Sequence, residues 1–289
     1  MRCRFSAALI VALFWSVAAL LPALAAQDGP KRIITLGGDI TEIVYLLGAA
    51  DRLVGRDATS TFPPETAALA DVGYFRQLGA EGVLSLKPDL ILASASAGPE
   101  EVFHQLQSAG VRIEKMADAY SPEGLLEKVG RIAQLLDVPE KGAALAAKLS
   151  REIAAAKSAV AAMKDRPTVL FIINSGGGAP MAAGRRTAAD ALMALAGGEN
   201  VFASHTGYKT VSLEAAAAAS PVAIALMEHT LETMGGVEGV VQNPALRLTA
   251  AAKTRRIVAR DGTYLLGFGP RLPHAIIDFA YAIRGKEQS

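Results

Sequence analysis

A chain of 289 residues with 51% hydrophobic, 20% charged and 6% aromatic side chains has the composition of one or two compact globular domains, which excludes disorder and coiled coil. Lysine and arginine (29) balance aspartate and glutamate (28), so there is no excess positive charge for a broad nucleic-acid face. Residues 1–26 combine Arg2 and Arg4, an apolar stretch over 5–21 and the ending Pro22-Ala23-Leu24-Ala25-Ala26. This is the pattern of a secretory signal peptide cleaved after Ala25 or Ala26. A retained membrane anchor is the alternative, and the absence of a basic stop-transfer cluster favours cleavage. The only cysteine, Cys3, lies inside that segment, so the mature chain carries no disulfide framework and is expected as a soluble periplasmic protein.

After the signal, short β-rich apolar runs alternate with helical patterns, as in α/β proteins with parallel sheets. Residues 31–36 read as a strand, Gly37-Gly38 as a turn, and Asp39 with Glu42 as a capping-box-like start to a helix over 40–47 that Gly48 ends. Strands come next at 53–55 and 89–93, then a helix over 101–108 closed by Gly110. Residues 139–164, rich in alanine and lysine, form one unbroken helical pattern. The plan then repeats: strand 168–173, glycine turn 176–178, helix 187–196 and strand 201–202. Glu81 and Glu214 each open a helix seven residues before a proline, Pro88 or Pro221, and each proline introduces an apolar strand.

The fold class is therefore α/β: two Rossmann-like lobes with parallel-rich sheets, 27–137 and 167–289, joined by one long helix over 138–166. Ligands of open α/β domains sit at the carboxyl ends of strands, and pockets favour domain interfaces, so the cleft between the lobes is the expected site.

Enzyme signatures are weak. Asn174-Ser175-Gly176-Gly177-Gly178 comes after a strand but lacks both the G-x-G-x-x-G spacing and a Walker lysine, so a close-approach turn is the better reading. No G-x-S-x-G elbow is present, and His104, His205, His229 and His274 are scattered without zinc-ligand spacing. Glu228-His229 comes after a strand and, with the glycine loop, is the one arrangement that keeps a periplasmic enzyme as an alternative.

The informative segment is 71–81, where Tyr74 sits on a glycine-flanked polar loop before a helix with Arg76 two residues on. A lone tyrosine is ordinarily core or rim. A phenolate is, however, a hard donor suited to ferric iron and a known haem ligand. A phenol's ordinary pKa of about 10 must fall for that role, and a neighbouring cation favours the anion. Phe75 packs either on a planar ligand or into its lobe.

Several further segments carry a resemblance: Tyr-x-Arg-x-Leu at 74–78, Ala-Glu-Gly-Val-Leu-Ser-Leu-Lys-Pro-Asp-Leu-Ile at 80–91, Gly-Gly-Ala-Pro-Met-Ala-Ala-Gly-Arg at 177–185, Gly-Gly-Glu-Asn at 197–200, Gly-Tyr-Lys at 207–209 and Leu-Leu-Gly-Phe-Gly-Pro-Arg at 265–271. Across essentially the whole mature chain the sequence resembles the periplasmic haem-binding proteins of bacterial haem ABC importers, within the wider family of vitamin B12 and ferric-siderophore binders.

The resemblance implies a non-enzymatic carrier of ferric haem, with Tyr74 as axial ligand of the iron and Arg76 supporting it. It also implies delivery to an inner-membrane ABC permease, docked through Glu81 and Glu214. A histidine used by some members in the loop after the first strand of the second lobe is replaced here by Asn174-Ser175-Gly176. Arg185, Arg186, Lys209 and the glycine loop are the candidate partners of the haem propionates, and Tyr208 is expected to face the same cleft. A monomer is expected, and a corrinoid or ferric-siderophore carrier on the same scaffold is the nearest alternative.

Overall fold

The computed structural model describes residues 29–173 and 180–286. The signal segment 1–26, the glycine loop 174–178 and the end of the chain lie outside the described residues.

The N-terminal lobe runs β1 (Ile33–Leu36), α1 (Gly38–Leu46), β2 (Leu53–Arg56), β3 (Ala70–Asp71), α2 (Ala80–Ser85), β4 (Leu90–Ser94), α3 (Glu100–Ser108), β5 (Arg112–Met116) and α4 (Pro122–Leu135). After α5 (Pro139–Ala161) come β6 (Thr168–Ile173), β7 (Met181–Ala183), α6 (Ala188–Leu195), β8 (Glu199–Asn200), β9 (Tyr208–Thr210), α7 (Leu213–Ala219), β10 (Ala223–Met227) and α8 (Glu228–Thr233). The chain closes with α9 (Gly236–Gln242), α10 (Ala250–Lys253), β11 (Ile257–Arg260), α11 (Gly262–Leu266) and α12 (Leu272–Ala282).

The first sheet has the order β3-β2-β1-β4-β5, with every pairing parallel. In the second, of order β11-β10-β6-β7-β9, β6 pairs in parallel with β10 and with the short β8, and β10 pairs in parallel with β11. The β6-β7 and β7-β9 pairings are antiparallel. Strands β1 and β4 are buried along their whole length and β6 and β10 almost so, because helices cover both faces of a parallel sheet and leave no place for polar alternation.

Helix α5 extends over 23 residues, about 34 Å at 1.5 Å per residue. Its buried residues Leu145, Leu149, Ile153, Ala156 and Val160 form one stripe at helical spacing. That stripe belongs to a single apolar core that takes in Ile43 and Val129 of the first lobe and Phe171 and Phe279 of the second. Gly142 lets α5 approach α4 closely, since a Cβ there would stand 2.3 Å from the Ala133 methyl.

Two local expectations fail. The start of α1 is not a capping box: Gly37 occupies the N-cap and no side chain caps the helix. Both acids serve tertiary pairs instead, Asp39 with Lys128 of α4 and Glu42 with Arg271 of the other lobe. The strand expected at 201–202 is formed slightly earlier by Glu199–Asn200, which pairs with Thr168 and Val169, and the chain then turns.

Candidate functional site

Parallel strands deliver all their carboxyl ends to one edge of a sheet, and here the two sheets bring those edges together. A cavity of about 840 Å³ lies between them, within the usual range of about 300–1,000 Å³ for small-molecule sites. From the first lobe its wall takes Gly37 after β1, Thr59 after β2, Tyr74 and Arg76 after β3, Ser94 and Ser96 at the end of β4, and Asp118 and Tyr120 after β5. The second lobe supplies Ile173 at the end of β6, Met227 and His229 at and after the end of β10, Thr263 and Phe268 after β11, and Tyr208 at the start of β9.

The lobes touch around this cavity through specific bonds. Arg271 Nε and Nη2 donate to Glu42 Oε2 and Oε1 at 3.0 and 2.6 Å. The same guanidinium lies 4.2 Å from the Phe62 ring centroid. Thr263 Oγ1 donates to the Thr59 carbonyl at 3.3 Å, and the Tyr120 and Phe268 rings stand 5.7 Å apart. Burial pushes the Glu42 carboxyl above the usual range, and the Arg271 hydrogen bond opposes that shift.

Asp57, wholly buried, shapes the loop that carries Thr59. Its carboxylate accepts from the N–H groups of Gly37 and Thr59 and from the hydroxyls of Thr59 and Ser60. Each buried lone pair is thereby used, which fixes the loop without apolar packing.

Tyr74 is exposed in the cavity wall, with 39% of its surface free, and Arg76 Nη1 donates to its phenol oxygen at 2.6 Å. Phe75 packs into the core of the first lobe and also borders the cavity beside Tyr74. The Arg76 guanidinium lies 4.4 Å from the Phe75 ring centroid, so the buried ring is a platform for the cation above it.

The other two phenols of the wall differ. Burial pushes the Tyr208 hydroxyl up, helped by Tyr120, and burial together with Asp118 raises Tyr120. Both remain neutral at physiological pH, able to donate a proton to a ligand but poorly suited to binding a metal as anions.

Of the remaining sequence candidates, Tyr208 lines the cavity, whereas Arg185, Arg186 and Lys209 are exposed and do not. Lys209 is next to Tyr208 within β9, and successive side chains of a strand point to opposite faces, so the two cannot share the cavity. His229 lines the cavity while its neighbour Glu228 does not, which separates the pair considered for an enzyme. Glu81 and Glu214 stand exposed in the first turns of α2 and α7 and make no ion pair among the described residues. The backbone N–H and the Ser212 hydroxyl hold the Glu214 carboxyl below its usual range.

Sequence reasoning missed Ser94, Ser96, Asp118, Tyr120 and Lys128. The first four could have been found from the strand-end rule applied to β4 and β5. Lys128 could not, because it reaches the wall from the middle of α4 through its pair with Asp39.

The sequence matches the periplasmic binding protein family over residues 33–264. In structure the chain is similar to the periplasmic heme-binding protein RhuT from Roseiflexus sp. RS-1, at 41% identity and a TM-score of 0.86, covering 89% of this chain and 99% of that one. It is similar also to the periplasmic heme-binding protein BhuT in complex with two hemes, at 40% identity and a TM-score of 0.84, covering 88% and 98%. Among curated proteins, the vitamin B12-binding protein of Photorhabdus laumondii subsp. laumondii is 28% identical over 176 residues, 61% of this chain and 62% of that protein. The family and these neighbours are binding proteins rather than enzymes. With two lobes, a spanning helix and a cavity at the strand ends, the chain belongs to the periplasmic binding protein family.

Proposed function

We propose that this protein is a periplasmic carrier that captures ferric haem in the interlobe cavity, with Tyr74 as axial ligand of the iron, and delivers it to an inner-membrane ABC permease. The observation that carries this reading is the Tyr74 phenol, presented in the cavity wall with a guanidinium 2.6 Å from its oxygen. A phenolate bound to ferric iron keeps its charge, and Arg76 balances it in a site that the ligand itself makes dry. Similarity at 41% identity to a heme-binding protein over nearly its whole length supports the same cargo.

Lys128 is buried and bound to Asp39, so among the described lining residues Arg76 is the only other lysine or arginine. The haem propionates accordingly turn toward the cavity mouth and solvent. Arg185, Arg186 and Lys209 bear on them only if they reach that mouth from outside the wall.

Residues 1–26 act as the cleaved export signal, and Glu81 and Glu214 as the two permease contacts, one on each lobe. The carrier works as a monomer. Among the described residues no helix is long and apolar enough to cross a membrane.

The test is a ferric haem titration of residues 27–289 with absorption spectroscopy, on wild type and Tyr74→Phe. Saturable binding with a phenolate-to-iron charge-transfer band, lost in the variant, is the expected result. Absence of saturable change with haem, together with saturable binding of cobalamin, would transfer the scaffold to the corrinoid reading that the vitamin B12-binding relative represents.

A further inference from the structure

Arg76 has a second set of partners on the side away from Tyr74. Its Nη2 donates to Ser96 Oγ at 3.3 Å, Ser96 Oγ lies 2.8 Å from Ser94 Oγ, and Ser94 Oγ donates to Asp118 Oδ1 at 2.8 Å. The Ser96 N–H also donates to Ser94 Oγ, at 3.2 Å. These groups come from three separate segments: the loop after β3, the end of β4 and the stretch after β5.

The proton count fixes the direction of the chain. A hydroxyl carries one proton and two lone pairs, while a carboxylate only accepts. Ser94 therefore spends its proton on Asp118 and can only accept from Ser96. Ser96 in turn donates to Ser94, which leaves the lone pairs of its oxygen facing the guanidinium. Every hydrogen bond runs the same way, from Arg76 through two serines to Asp118, and such aligned chains strengthen one another.

We propose that Ser94, Ser96 and Asp118 are positioning residues that lock Arg76 onto the Tyr74 oxygen, so that the iron meets a phenol whose cation partner is already in place. The inference rests on Tyr74 being the iron ligand. Arg76 is exposed on a loop and has a rotamer-rich side chain, which would otherwise have to be ordered at the moment of binding. The buried Phe75 ring beneath it limits its height above the wall, and the serine relay fixes its rotation. Aspartate at the far end gives the chain its polarity, although two serines separate it from the cation it serves.

The test compares Ser94→Ala and Ser96→Ala in the wild-type chain and in an Arg76→Met background. Haem dissociation and the iron–phenolate stretch in resonance Raman spectra are the two readouts. In the wild-type chain each serine variant is expected to speed dissociation about threefold, less than loss of Arg76 itself and the size expected for one ordinary hydrogen bond, and to shift the iron–phenolate stretch. In the Arg76→Met background the same substitutions are expected to change neither quantity, because the residue they act through is gone. Ser96→Thr, which keeps the hydroxyl, is expected to restore wild-type values.

Serine effects of equal size in both backgrounds, or none in either, would overturn the relay while leaving Tyr74 as the ligand. A wild-type complex with no iron–phenolate stretch would overturn the ligand assignment itself. Ser96→Ala, at an exposed position after the strand, keeps the comparison available if the buried Ser94→Ala does not fold.

Discussion

In the proposed carrier, Arg76 and Tyr74 divide the work of the cavity wall, one supplying charge and the other the donor atom. Replacing Arg76 with methionine keeps much of the packing over Phe75 but removes the 2.6 Å bond to the phenol. Haem should still bind through Tyr74, with dissociation faster by about tenfold, the order expected for one charge-assisted hydrogen bond. Stopped-flow haem transfer to an apoglobin acceptor measures this directly, and an unchanged rate would show that Arg76 does not support the ligand.

The same residues mark how far sequence reasoning reached at this scale. Tyr74 and Arg76, two residues apart, do meet in the cavity wall, because their contact is local. Lys209 does not line the cavity, because adjacency to Tyr208 in sequence means opposite faces in a strand.

At the scale of elements, the long helix illustrates a competition between two local effects. Gly142→Ala would gain about 1 kcal/mol of helix propensity. The new methyl would, however, stand 2.3 Å from that of Ala133, and overpacking a tight helix contact costs about 1–3 kcal/mol. The net outcome should be a lower urea midpoint with an unchanged slope, and a raised midpoint would show that α4 and α5 can separate at small cost.

Strands β1, β4, β6 and β10 and the helix α5 were legible for the physical reason that burial writes a strong pattern: continuous apolar runs for strands covered on both faces, and a 3–4 spacing for one buried helix stripe. Three-residue β7 and β9 were missed, since pieces that short carry no period of their own and exist by pairing with β6 and with each other.

On the scale of the whole molecule, the pair between Glu42 and Arg271 fastens one lobe to the other over a separation of 229 residues. Arg271→Met should leave Glu42 buried without its cation and destabilise the protein by about 3–5 kcal/mol at neutral pH. The raised folded pKa of Glu42 sets the direction with pH: a carboxyl shifted upward favours the folded state most below its unfolded pKa and loses that contribution as pH rises through the folded value. The deficit of the variant should therefore shrink as pH falls toward the ordinary glutamate range. Urea unfolding at pH 7 and pH 5 measures it, and a deficit independent of pH would clear Glu42 of responsibility. No local pattern announces such a pair, which is why Asp39 and Glu42 read as helix-start acids in the sequence.

Glu81 and Glu214 also belong to this scale, because each precedes a strand that pairs with the first strand of its own lobe, β4 with β1 and β10 with β6. The repeated spacing made them legible as a pair. Reversing both charges should leave the haem titration unaltered and stop haem-dependent growth of cells relying on this importer. Undiminished growth would count against the proposed permease contacts.

The cavity owes its wall mainly to the loops at the strand ends and only marginally to the sheets themselves. Frame and wall are thus built from different parts: the loops after β3, β4, β5, β10 and β11 can change while the buried strands and the α5 stripe stay under the constraint of packing. A lineage built this way can change its cargo without passing through an unfolded ancestor. The coexistence of heme-binding and vitamin B12-binding relatives around one architecture is the record such drift would leave.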